Sequence, residues 1–211
     1  MKTPVILYGT TNPAKLAHMR RMLSALPIEI AGIREIGAAV PDVEETGGTP
    51  LENARLKALS CFQALQRPVF ACDSGLRIEG LPEAEQPGVH VRMVNGRRLT
   101  DAEMTAHYAA IARRMGGKAM ARYQNAICLI TADGALHEHD GEDISGETFY
   151  LVDVPHAKRV PGYPLDCLSV RPDTGQYYND DPRPASDSIL SAGGFSAFFR
   201  RALHLETEEG L

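Results

Sequence analysis

The sequence predicts an α/β fold with a mixed sheet and flanking helices, organised as one domain over residues 1–211 with two lobes around a central cleft. Three observations predict it. Short apolar runs that read as strands alternate with stretches of helical spacing. Two of the helices open with a capping box. A tight turn, Ala132-Asp133-Gly134, folds one strand back beside the next. A chain of 211 residues suits one large domain or two closely joined lobes.

The elements follow in order. Val5 to Tyr8 reads as a strand, broken by Gly9-Thr10-Thr11-Asn12. Leu16, Met19, Leu23 and Leu26, three or four apart, predict a helix that Pro27 stops. Ile28, Ile30 and Ile33 suggest a second strand. Asp42, Glu44 and Glu45 lie in a loop that closes at Gly47-Gly48. Thr49-Pro50-Leu51-Glu52 is a capping box with Pro at the first helical position. That helix runs to about Gln66, with Leu51, Ala54, Ala58, Phe62 and Leu65 as its buried stripe; Asn53 and Lys57, one turn apart, share another face. Val69 to Cys72 reads as a strand that stops on Asp73, with a turn at Ser74-Gly75 and a second strand after it. Thr100 to Glu103 is a second capping box, on a helix ending near Gly116-Gly117. Tyr123 to Thr131 and Leu136 to His139 form the hairpin. From Ser145 the pattern weakens until a last helix, Phe195 to His204, and an acidic tail.

Composition narrows the classes. With 44% hydrophobic and 23% charged residues the chain reads as soluble and globular, long enough to bury a core without disulfides. A net charge of −5 argues against a bulk electrostatic grip on nucleic acid, though a small phosphate site needs only a few local cations. Cys61, Cys72, Cys128 and Cys167 form no CxxC and sit in apolar contexts, so they read as buried free thiols in a reducing cytoplasm. No stretch approaches the ~20 apolar residues of a membrane span, and the apolar run at the start is too short for a signal peptide.

Several residues could carry chemistry. Thr10, Thr11 and Asn12 precede a helix whose N-terminus favours anions, and Lys15 lies one turn in; together they would hold a phosphate. The same turn also reads as a plain N-cap with Lys15 solvated. Glu44, Glu45 and Asp73, from separate loops, could bind a hard divalent cation: Mg²⁺ takes one or two carboxylates and fills its remaining positions with water and phosphate oxygens. The alternatives are a solvated acidic loop and an acid capping a turn. His137 and His139 face the same way on a strand, but no third ligand is nearby in sequence. There is no GxSxG, Walker or GxGxxG motif. Cys72 adjoins an acid, which disfavours a thiolate, so it is not read as a nucleophile.

Taken in order, TTNPAK, VEETGGTPLENARLKA, ACDSGL and QPGVHVR resemble the inosine/xanthosine triphosphate pyrophosphatase family, which acts on non-standard purine nucleotides. The resemblance covers the first half of the chain well, and its long middle block is specific. It implies an elongated mixed α/β fold of two lobes with a central cleft, a homodimer, and Mg²⁺-dependent hydrolysis of a nucleoside triphosphate to monophosphate and pyrophosphate. Carried across by position, Thr10, Asn12 and Lys15 would hold the triphosphate, Asn53 and Lys57 would steady its phosphates, and Ser74 would contact substrate. Glu45 and Asp73 would bind the metal, and Asp73 would activate the attacking water. Arg92 matches the Arg of the fourth motif if one residue is deleted.

The departures are as informative. The first Asp of the family's D-D-S-G-L is Cys72, and the Glu three residues after the first Lys is His18. The late motif G-F-G-Y-D-P-I-F is represented by Val160 to Asp166, with Pro161 at the aromatic position, Pro164 at the Asp position unless Asp166 replaces it, and Tyr163 as a candidate contact to the base. The final Lys and S-H-R are replaced by a segment whose cations are Arg183, Arg200 and Arg201. The phosphate and metal half is kept and the base-reading half altered. Two alternatives therefore stay open: a pyrophosphatase for another nucleotide or phosphorylated metabolite, and a nucleotide-binding protein without turnover.

Overall fold

The computed structural model describes residues 3–39, 43–180 and 189–205. In chain order the elements are β1 (Val5–Tyr8), α1 (Pro13–Met22), β2 (Glu29–Gly32), α2 (Pro50–Leu65), β3 (Val69–Ile78), β4 (Met93–Val94), β5 (Arg97–Arg98), α3 (Asp101–Arg114), β6 (Lys118–Ile130), β7 (Leu136–His139), β8 (Phe149–Val152), β9 (Ser169–Val170) and α4 (Ile189–Ala202). The main sheet runs β2-β1-β3-β6-β8-β9, with β7 also paired to β6. It is mixed: β1 is parallel to β2 and β3, whereas β6 is antiparallel to β7 and β8. This is the α/β class read from the sequence.

The chain forms two compact units. The first holds the described parts of Met1–Ser74, Asn125–Ser145 and Ile189–Leu211; the second holds those of Gly75–Gln124 and Gly146–Ser188. In the first, Ile6, Tyr8, Met19, Phe70, Ile127 and Phe199 lead one apolar cluster, and Ala54, Ala58, Ala71, Cys128 and Ile130 form another under α2. In the second, Leu76, Tyr108, Ala112, Phe149 and Leu168 centre the core.

Four local expectations change. Ser74-Gly75 makes no turn: β3 is one ten-residue strand running through Asp73. Pairing with β6 keeps it extended, overriding the turn preference of Ser and Gly. The buried stripe of α2 is Asn53, Ala54, Ala58 and Cys61, because small side chains let the helix settle on Ala71, with Phe62 packed beside the contact and Leu51 and Leu65 only half-buried. Helix α1 ends at Met22, where the chain turns through a Leu26 N–H to Leu23 carbonyl bond at 3.0 Å. Helix α4 begins earlier than expected and runs through Gly193-Gly194. A Cβ on Gly194 would overlap the Asp143 carbonyl, so glycine here serves close packing and is no helix stop.

Candidate functional site

The first unit gathers most of the expected residues. Along β3 the side chains alternate. Ala71 and Asp73 face α2; Phe70 and Cys72 face the cluster that includes Met19 and Phe199. Asp73 is only 6% exposed. Its Oδ1 accepts from Lys57 Nζ at 2.6 Å and its Oδ2 from Asn53 Nδ2 at 3.2 Å. The one-turn spacing of Asn53 and Lys57 aims both at the same carboxylate, which is the shared face the sequence indicated.

Lys57 also reaches the acidic loop, its Nζ lying 3.1 Å from Glu45 Oε1. That loop is fastened to the start of α2. Gly47 N–H donates to Asn53 Oδ1 at 2.8 Å, Gly48 N–H donates to Glu52 at 2.7 Å, and Thr49 with Glu52 completes the capping box. A Cβ on Gly47 would come within 2.7 Å of Asn53 Oδ1, so only glycine allows this approach. On its outer face α2 is tied to β7 by a bidentate pair, Arg55 to Glu138, at 2.6 and 2.7 Å.

The Thr10-Thr11-Asn12 turn is a working N-cap. Asn12 Oδ1 accepts from the N–H groups of Ala14 at 2.9 Å and Lys15 at 3.4 Å, and Thr10 Oγ1 accepts from Asn12 N–H at 3.2 Å. Those amides are thus taken, leaving the hydroxyl protons of Thr10 and the exposed Thr11, and the ammonium of Lys15, to meet an anion. Lys15 is half-buried, and its ammonium makes no hydrogen bond or ion pair among the described residues. Burial and then the neighbouring Lys57 push its pKa down, against the pull of Asp73, Cys72 and Glu45.

Cys72 is half-buried, unlike the fully buried Cys61, Cys128 and Cys167. The last β1–β3 pair is Tyr8 with Phe70, so Cys72 lies past the end of β1. Burial still pushes its thiol up to about 12, against Lys15 and a hydrogen bond with Tyr8. It is a neutral group where the resembled family carries an acid.

Ser74 Oγ donates to Asn125 Oδ1 at 2.7 Å, and Asn125 Nδ2 donates to the Ile144 carbonyl at 2.8 Å. Asn125 escaped the sequence reading, since nothing local in ARYQNAI marks it. Arg92 and Tyr163 belong to the second unit. There Arg92 donates to Asp101 at 2.7 Å and to the Leu99 carbonyl at 3.2 Å. His139 pairs with Asp143 at 2.7 Å, and among the described residues no three His, Cys, Asp or Glu side chains are grouped to hold a metal. Asp42 and Arg183 lie outside the described residues.

Fold and site together define a mixed α/β protein whose first unit sets two carboxylates and two ammonium groups around one strand. The chain belongs to the Ham1 family, whose model matches residues 6–149. A dITP/XTP pyrophosphatase of Rhodopseudomonas palustris is 35% identical over 140 residues, covering 64% of this chain and 65% of that protein. One from Coxiella burnetii is 42% identical over 98 residues, 46% of this chain and 47% of its own length. The chain thus matches less than two thirds of the length of these relatives. A solved HAM1 protein from Coxiella burnetii superposes with a TM-score of 0.71 at 24% identity, covering 94% of this chain and 99% of that one. The Staphylococcus aureus Ham1 protein gives 0.67 at 20% identity over the same shares, and both establish the fold.

Proposed function

We propose that this chain is a magnesium-dependent nucleoside triphosphate pyrophosphatase, taking purine nucleotides of the ITP/XTP kind to a monophosphate and pyrophosphate. The observation that carries the reading is the network in which Lys57 contacts Glu45 and Asp73 from separate segments, beside a Lys15 whose pKa is lowered by burial and then by Lys57. The activity named for the relatives supports the substrate class.

The donor set suits a hard divalent cation. Two carboxylates already converge on one positive charge, and Mg²⁺ usually needs no more than that from the protein. Glu45 and Asp73 would hold it; when bound, the ion neutralises phosphate charge and acidifies a coordinated water. The chain's own groups do the rest. Lys15 and Lys57 bind the triphosphate, and Thr10 and Thr11 donate to its oxygens. An anion there relieves the strain on Lys15, whose charge is disfavoured by burial and by Lys57. Asp73, positioned by Asn53 through Oδ2, orients the attacking water and takes its proton. Water oxygen bonds to the α-phosphorus, the bridging P–O bond to the β-phosphate breaks, and pyrophosphate departs against Lys15 and Lys57.

Pyrophosphate release from ITP, dITP, XTP, ATP, GTP, CTP and UTP with Mg²⁺ tests the reading. Asp73→Asn should lower turnover at least about a hundredfold, the scale of a general base. Near-wild-type turnover by that variant removes the assignment, and nucleotide binding without release supports a non-hydrolysing protein instead. The same panel tests a second reading, the same reaction on another base, which Pro161 and Pro164 favour. We also propose a cytoplasmic homodimer that binds no nucleic acid. Four free thiols suit a reducing compartment, and no helix among the described residues is long and apolar enough to cross a membrane. Light scattering reads the dimer.

A further inference from the structure

Lys57 Nζ stands 2.6 Å from Asp73 Oδ1 and 3.1 Å from Glu45 Oε1. Its side chain is 15% exposed, that of Asp73 8% and that of Glu45 47%. The ammonium thus occupies a position from which one cation touches both acids. A metal ion held by the same two carboxylates would compete with that ammonium, because two cations so close repel strongly.

We infer that Lys57 sets the cation affinity of the site by competing for it. The inference rests on the reading that Glu45 and Asp73 hold the metal. While the metal is absent, Lys57 holds the two like charges together, so the loop bearing Glu45 is already in place. On metal binding the ammonium gives up its carboxylates and turns to the phosphates. Lysine suits this: it is a compact charge on a flexible stem, with no planar fork to lock it in one geometry. Its backbone stays fixed throughout, in the middle of α2. Lys57 and Lys15 are already close enough to repel, so an ammonium released from the acids is best accommodated when a polyphosphate is present. The site therefore resists metal alone and accepts metal with substrate.

The test is calorimetric titration of Mg²⁺ into wild type, Lys57→Met, Lys15→Met and Glu45→Gln. Lys57→Met should bind Mg²⁺ at least about tenfold more tightly than wild type, the scale of one lost charge-assisted competitor. Lys15→Met removes an equal charge without touching the acids and should gain no more than about threefold. Binding by Lys57→Met that is unchanged or weaker overturns the inference, as does an equal gain in Lys15→Met. Glu45→Gln should bind more weakly; if it matches wild type, the metal is not on these acids and the functional reading falls as well. Should Lys57→Met fail to fold, wild type alone answers. Acylation of Lys57 by acetic anhydride, read by peptide mass spectrometry, should rise severalfold when Mg²⁺ is added. An unchanged or reduced rate overturns the inference.

Discussion

Asn53→Ala is the sharpest structural perturbation of the site. Asn53 is 1% exposed and joins the acidic loop to β3 through one amide. The substitution removes the Gly47 N–H to Oδ1 bond at 2.8 Å, a neutral pair contributing about 1 kcal/mol net. It also removes the Nδ2 to Asp73 Oδ2 bond at 3.2 Å, which reaches a carboxylate but is long, so about 1.5 kcal/mol is apt. Asp73 keeps Lys57, so the larger penalty of an unpaired buried charge does not arise. The sum is about 2.5 kcal/mol, and at roughly 2–4 °C per kcal/mol for a chain of this size Tm should fall by about 5–10 °C. Thermal unfolding followed by circular dichroism measures it. Limited proteolysis should also show faster cutting at 44–48, since the loop loses one of its ties. An Asn53→Ala protein melting within about 2 °C of wild type would refute this accounting of the network.

Other outcomes follow from the same geometry. Burial pushes the Asp166 carboxyl up to about 7. The folded chain then keeps a proton that the unfolded chain releases from about pH 4, so stability is lost as pH rises through the interval from 4 to 7. Asp166→Asn should accordingly gain up to about 4 kcal/mol over wild type at pH 8 and little at pH 4, read from urea midpoints. Cys72, with its thiol at about 12, should have only about one thiolate in ten thousand at pH 8. Iodoacetamide should therefore label it orders of magnitude more slowly in the native protein than in urea; comparable rates would contradict its burial. Gly194→Ala forces a methyl into the Asp143 carbonyl and should destabilise by about 1–3 kcal/mol, whereas Gly193→Ala, with open space around it, should not.

What the sequence made legible was what is encoded locally. The capping boxes at Thr49 and Thr100 both form, because each is written within four residues. Asn53 and Lys57 could be placed on one face by helical spacing alone, and both do meet Asp73. Strands β8 and β9 were not visible: they are four and two residues long and owe their place to partners far away, as Val152 does to Lys118. Ser74-Gly75 misled for a related reason, since pairing along β3 outweighs the local turn preference. Asn125 gains its role only once Ser74 and Ile144 are brought to it, 51 and 19 residues away. That Glu45 and Asp73 would meet one and the same ammonium was likewise beyond any local pattern.

The stretch from Glu45 to Lys57 has the character of a portable cassette. Its internal wiring, Gly47 to Asn53, Gly48 and Thr49 to Glu52, and Lys57 back to Glu45, is closed within one contiguous segment. Outside the segment, Asn53 and Lys57 reach one aspartate on a neighbouring strand, while Arg55 on the outer face pairs with Glu138. A helix–strand pair in an unrelated scaffold, given this segment and one acid opposite its second turn, has the parts to build the same corner. Because the wiring is short-range, the acid-bearing loop can take shape as its helix does, ahead of any long-range assembly.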